Sequence, residues 1–123
     1  MAALTVHQAA ATTGWSARML RYLERVGLVV PPRTAAGYRL YAAGELQRLR
    51  TLRELLAQYD LGLSDVAFAR RLRDDPVLAR AVATWLEAQP IKPPSVSTSD
   101  AWLRFEQDKC RRLLAAASTF RAA

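Results

Sequence analysis

Cysteine occurs once in the 123 residues, as Cys110. A lone cysteine builds no disulfide framework and no CxxC metal spacing. Histidine also occurs once, as His7. Metal sites need several ligands, so His7 reads as an exposed helix residue, and neither metal nor cofactor is expected. No apolar run reaches the roughly 18 residues of a membrane span. Nothing resembles a signal peptide. A soluble, cytoplasmic protein with no membrane partner is expected. The constellations of catalysis are missing as well: no Ser/His/Asp set, no glycine-rich phosphate loop, no paired carboxylates with a basic partner. The chain reads as a non-enzyme, and Asp74-Asp75 reads as a helix terminus and cap.

Acidic residues are scarce where the chain is most basic. Residues 1–59 hold eight arginines against Glu24, Glu45 and Glu54, a net of +5; residues 60–123 hold ten Lys+Arg against eight acids, a net of +2. The total of +7 points to a polyanionic partner. Lysine is nearly absent too. Only Lys92 and Lys109 occur, so 16 of the 18 cations are arginine, which suits bidentate guanine or phosphate contacts. High arginine usage also follows from a GC-rich genome.

The excess charge falls in Ser16–Tyr41, SARMLRYLERVGLVVPPRTAAGYRLY. Ser16 can cap a helix through its hydroxyl, and Gly27 can end it in the left-handed conformation. Met19, Leu20, Leu23 and Val26 share one side at helical spacing. Arg18, Arg21, Tyr22 and Arg25 share the other. Pro31-Pro32 cannot continue a helix and favours an extended chain. Ala36-Gly37 makes a turn, placing Arg33, Tyr38, Arg39 and Tyr41 near the tip of a predicted β-hairpin, a wing. A helix with an arginine face fits the major groove, where it reaches guanine edges or phosphate oxygens. The plainer reading of the same residues is a solvated helix face followed by a loop.

Upstream, Thr5 and Gln8 have capping-box spacing, and a short helix is predicted from Val6 to about Thr12, with Val6, Ala9 and Ala10 inward. Thr5 can also donate to a phosphate. Gly14 turns the chain and Trp15 packs over the turn. Helix, tight turn, helix is the helix-turn-helix arrangement. Downstream, Ala43–Tyr59 carries Leu46, Leu49, Leu52, Leu56 and Tyr59 on one face, with Arg48, Arg50 and Arg53 solvated. Gly62 breaks the chain before a helix over Leu63–Arg73, whose apolar side is Leu63, Val66, Phe68, Ala69 and Leu72. Asp75-Pro76 opens another helix, with Leu78, Val82, Trp85, Leu86 and Gln89 in one stripe up to Pro90.

Residues 90–99, PIKPPSVSTS, read as a linker. Ser97 or Ser99 then caps a last helix to about Phe120. Leu103, Cys110 and Ala117 occupy one heptad core position and Leu113 and Phe120 the other, with Glu106 interrupting. Trp102 and Phe105 widen the stripe. An uncovered stripe on a helix about 30 Å long predicts a homodimer. Alternatively the helix folds back on residues 76–89. Cys110 reads either as a buried apolar residue or as a sensor thiol. Trp85, Trp102 and Phe105 read either as core or as the lining of an apolar ligand site.

The run LTVHQAAATTGWSARMLRYLERVGLVVPPRTAAGYRLYAAGELQRLRTLREL resembles the DNA-binding domain of MerR-type transcription regulators. The matching pieces are Arg21-Tyr22, Glu24, Gly27-Leu28, Pro32, Arg33-Thr34, Gly37-Tyr38-Arg39 and Tyr41. The resemblance extends from about Leu4 to about Leu72. Leu23 stands where the family commonly has a second tyrosine, and Met19 where it commonly has threonine. The resemblance implies a mainly α fold, with a winged helix-turn-helix domain over 1–75 and a C-terminal dimerisation helix over 100–123; the accessory helix and linker over 76–99 are read from the residues and depart from the family pattern, in which the dimer helix follows the DNA-binding domain closely.

It further implies a homodimer on an inverted-repeat promoter site in double-stranded DNA, with RNA polymerase as a further partner. Arg18, Arg21 and Tyr22 would enter the major groove, with Ala17 near a thymine methyl. Arg33, Tyr38 and Arg39 would hold flanking phosphates. Leu103, Cys110, Leu113, Ala117 and Phe120 would form the dimer contact. Two other functions suit the same chain: an architectural or excisionase-like DNA-bending protein, or a protein-interaction module in which residues 76–120 bind another regulator.

Overall fold

The computed structural model describes residues 3–61 and 65–122, and the side chains of residues 65, 66 and 117–122 fall outside that description. Gly62 and Leu63 therefore lie outside the described residues, as do the side chains of Val66, Ala117 and Phe120. The described residues form α1 (Val6–Thr13), α2 (Ala17–Arg25), α3 (Ala43–Gln58), α4 (Asp65–Asp74), α5 (Pro76–Glu87) and α6 (Ser99–Ala122).

The first two helices form as their caps dictate. The Gln8 amide donates to Thr5 Oγ1 at 3.2 Å, and the Thr5 amide donates to Gln8 Oε1 at 2.9 Å. Both halves of the capping box are made, so two otherwise orphaned donors are paired. Gly14 ends α1 at φ +83°. A side chain there would also collide with the Arg53 guanidinium, which donates to the Thr13 carbonyl at 2.8 Å. Trp15 is buried, and its indole N–H donates to the Leu49 carbonyl at 3.0 Å. That bond locks the turn onto α3. Ser16 caps α2 by accepting from the Met19 amide at 3.0 Å.

Met19, Leu20 and Leu23 are buried under α2, as their spacing predicts, but Val26 is 46 % exposed. The helix stops at Arg25, and Val26 is its C-cap. Off the helical screw, its side chain leaves the stripe. Leu28 and Val29 enter the core after Gly27 instead.

The expected β-hairpin does not form as paired strands. Arg33 bridges Arg39 and Leu4 bridges Tyr41, each as an isolated antiparallel bridge, and no strand longer than that occurs among the described residues. Proline has no amide hydrogen, so Pro31 and Pro32 cannot donate to a ladder. Pro32 contributes only its carbonyl, which accepts from the Leu40 amide at 2.8 Å. The tip does turn as predicted: the Gly37 amide donates to the Thr34 carbonyl at 2.9 Å, with Gly37 at φ +90°. Tyr41 lies at the base of this loop and not at its tip. It is fully buried, and burial pushes its phenol above the ordinary value, with nearby Arg39 acting in the opposite sense.

α3 is the central pillar. Leu46, Leu49, Leu52 and Leu56 are all fully buried. Its three arginines are not simply solvated. Arg48 lies 4.6 Å over the Trp85 ring and donates to the Ala88 carbonyl at 2.9 Å. Arg53 reaches Thr13 and Arg50 reaches α6. Carbonyls at helix C-termini lack intrahelical partners, and the long guanidinium is suited to meet them.

α5 starts where Asp75-Pro76 places it. Asp75 Oδ1 accepts from the Val77 amide at 3.1 Å and the Leu78 amide at 3.2 Å, and Oδ2 accepts from Arg71 at 3.2 Å. The Leu78 amide, then Arg71, holds its carboxyl below the usual aspartate range. A carboxyl depressed on folding contributes stability above its unfolded pKa of about 4 and loses it as pH falls through the lower folded value. Asp75→Asn is therefore expected to flatten the fall of stability as pH drops below about 4, relative to the parent. Urea midpoints across that range measure this, and parallel curves for the two proteins would contradict it.

The proline-rich segment is tied down. Gln47 accepts from the Ile91 amide at 2.8 Å and donates to the Ile91 carbonyl at 2.7 Å. Val96 is buried. Thr98, flanked by the two predicted serines, caps α6 by accepting from the Ala101 amide at 3.0 Å. α6 packs chiefly on α3 and α1 of its own chain. Leu103 and Cys110 are buried by that packing.

Glu106 explains the docking. It is 0 % exposed. Its Oε1 accepts from Arg50 Nε at 3.3 Å and Nη2 at 3.2 Å, and its Oε2 accepts from Gln47 at 3.1 Å and the Trp102 indole at 3.0 Å. A residue that breaks a heptad seam is here the polar anchor of an intrachain contact.

Candidate nucleic-acid interface

The α1–turn–α2 unit presents one cationic surface. Arg18, Arg21 and Arg25 are exposed on α2, and Ala17 is partly buried at its first turn. Tyr22 is half-buried. Its ring meets Phe68 edge-on at 6.5 Å between centroids, and Arg25 lies 5.4 Å over it. Tyr22 thus couples α2 to α4 as well as standing beside the arginines.

Loop 31–41 flanks this surface. Tyr38 at its tip is 73 % exposed. Arg33 and Arg39 are turned back toward α2, where both bind Glu24. Arg33 Nη2 donates to Glu24 Oε1 at 2.8 Å, and Arg39 donates to the same oxygen from Nε at 3.0 Å, with its Nη2 in ion-pair contact at 2.9 Å. Arg33 Nη1 also donates to the Gly37 carbonyl at 2.8 Å.

Between the start of α1, Arg21 of α2 and the loop runs an open groove of about 460 Å³, with Thr5, His7, Tyr38 and Arg39 among its walls. Spacing alone placed Arg21, Tyr38 and Arg39 in the site. It did not place His7, which borders the groove only because Leu4 bridges Tyr41 and brings α1 beside the loop. Glu24 matches a family position, but its link to residues 9 and 15 positions away is a product of the fold.

The predicted dimer residues divide differently. Leu103 and Cys110 are buried within the chain, and Leu113 is half-exposed. Burial pushes the Cys110 thiol up to about 11. At pH 7 its thiolate fraction is then roughly 300-fold below that of an ordinary cysteine near 8.5. Iodoacetamide should label native Cys110 at least 100-fold more slowly than the urea-unfolded chain. Equal rates would contradict its burial. A cleft of about 220 Å³ between α3 and α5 is lined by Trp85 but not by Trp102 or Phe105. Among the described residues, no helix is long and apolar enough to cross a membrane, and no three His, Cys, Asp or Glu side chains group as metal ligands.

A capped helix, a glycine turn, a second helix with exposed arginines and a flanking basic loop define a helix-turn-helix protein. The chain belongs to the MerR family: residues 4–69, more than half of its length, match the family described as MerR HTH family regulatory protein. It is similar to the HTH-type transcriptional regulator HmrR of Sinorhizobium medicae (strain WSM419), 37 % identical over 62 residues, which is 50 % of this chain and 40 % of that protein. It is equally similar, over the same shares, to the heavy metal-dependent transcription regulator 2 of Rhizobium meliloti (strain 1021). The match thus spans about two fifths of these relatives. No solved structure matches the chain.

Proposed function

We propose that the chain is a sequence-specific DNA-binding transcription regulator. The exposed arginine face of α2, framed by a basic loop, carries this reading. Arg18 and Arg21 enter the major groove with Ala17 near a thymine methyl, and Tyr22 lines the edge of that contact. Loop 31–41 serves as the wing, with Tyr38, Arg33 and Arg39 beside flanking phosphates. The regulator binds an inverted repeat as a homodimer and meets RNA polymerase at the promoter. Since Leu103 and Cys110 are occupied inside the chain, the dimer contact falls on the remainder of α6, from Leu113 toward Ala117 and Phe120. One relative's name mentions heavy metals. A single buried cysteine gives no ground to carry that dependence here.

Binding to a labelled duplex over a range of KCl tests the DNA reading. Affinity should fall with salt at a log–log slope of about −0.9 per phosphate neutralised. A flat salt response would favour the protein-interaction role of residues 76–120. One observation favours a second DNA reading: α6 closes on α1 and α3 of its own chain. A complete monomer suits an architectural, excisionase-like DNA-bending protein. Sedimentation with and without DNA separates the two, since that role needs no two-fold complex.

A further inference from the structure

We propose that Glu24 is a positioning residue that sets the selectivity of DNA binding without touching DNA. The inference rests on the reading of α2 and loop 31–41 as the DNA-contacting pair. Glu24 sits one turn beyond Arg21 on α2 and is largely buried, with 15 % of its side chain exposed. A single carboxylate oxygen accepts one hydrogen bond from each of two loop guanidiniums, with Arg39 Nη2 in ion-pair contact at 2.9 Å besides. Arg33 uses its other terminal nitrogen on the Gly37 carbonyl at the loop tip. A rigid guanidinium thus bridges helix and tip, and the tip cannot swing without breaking one of these bonds.

The loop's other bonds hold it to itself and to Leu4; among the described residues its side-chain ties to α2 run to Glu24. The loop backbone makes isolated bridges and no ladder, and Pro31 and Pro32 remove two donors. A sheet would fix the angle between a wing and its helix; here Glu24 does so from the side-chain level. The charge logic has a definite sign. Glu24 is one of three acids among eight arginines in residues 1–59. Facing a polyanion, a carboxylate lowers affinity. It also orients the two wing guanidiniums, so that they reach phosphates in the register of the preferred site and not wherever a duplex presents them. Glu24 therefore lowers binding to arbitrary DNA while holding the loop in the register that suits the preferred site.

The test compares Glu24→Gln with the parent on two probes, the duplex recovered by selection and a scrambled duplex of equal length, across 50–300 mM KCl (roughly the range over which phosphate contacts are resolved). On the scrambled duplex the variant should bind at least about threefold tighter, with a slope steeper by about 0.9 for each arginine released. On the selected duplex it should gain nothing or weaken, so that the ratio between the two falls about threefold or more. Equal tightening on both probes would reduce Glu24 to a bulk charge and overturn the proposal. Unchanged binding to both would overturn it as well. Arg33→Gln with Arg39→Gln severs the same tie from the loop side and covers the case of a misfolded Glu24 variant. It should lose selectivity without gaining on scrambled DNA, and retained selectivity would sink the idea. A parent protein that binds neither duplex is a separate outcome, which overturns the DNA reading itself.

Discussion

Arg50→Ala is expected to lower folding stability by about 3–5 kcal/mol, read from urea denaturation. Glu106 is fully buried, and among the described residues Arg50 supplies two of its four hydrogen bonds and the one cation among its bonded partners. Removing the guanidinium leaves a buried carboxylate with two neutral donors, Gln47 and the Trp102 indole. Domains of this size have only about 5–15 kcal/mol in hand, so α6 is expected to detach or the chain to unfold near ambient temperature. Arg50→Met combined with Glu106→Leu removes both charges and should recover most of the loss, since apolar replacements of buried pairs are often neutral or better. A loss under about 1 kcal/mol for Arg50→Ala would place the pair among solvated surface bridges and contradict the docking of α6 described above.

Arg21→Ala should weaken binding to the preferred duplex by about 1–3 kcal/mol, roughly five- to 150-fold. Arg21 is exposed and borders the groove between α1 and the loop, so the fold should persist and the loss should be one of contact. Two patterns are distinguishable. If Arg21 reads a base, selectivity relaxes at one position and the salt slope stays. If it holds a phosphate, binding weakens on every sequence and the slope falls by about 0.9. Unchanged affinity and selectivity would remove Arg21 from the interface.

Local grammar made most of the helices legible. Thr5, Ser16 and Asp75 cap α1, α2 and α5 as their neighbours predict, because a cap is decided within three or four residues. The leucine series of α3 marks a core face for the same reason. What escaped were long-range polar contacts. Arg48, Arg50 and Arg53 look solvated at helical spacing, yet their partners lie 40 residues or more away at Ala88, Glu106 and Thr13. The turn signal at Ala36-Gly37 predicts a hairpin, but Pro31 and Pro32 deny it a ladder, and the turn forms with isolated bridges alone. Glu106 looked like a flaw in a dimer seam; only the position of Arg50 turns it into an anchor.

In the candidate site, spacing placed Arg18, Arg21 and Tyr38 on the exposed surface where they are found. It assigned Arg33 and Arg39 to the same surface but not to Glu24. Side-chain pairing across 9 and 15 residues depends on how the loop returns to α2, and no local rule encodes it. His7 joined the groove through the Leu4–Tyr41 bridge for the same reason.

Selection of preferred duplexes from a random DNA pool at near-physiological salt tests the central claim most directly. The predicted result is an enriched inverted repeat, with half-sites separated by about one helical turn or a multiple of it. Binding without an enriched sequence would contradict sequence-specific regulation and leave the architectural reading in its place.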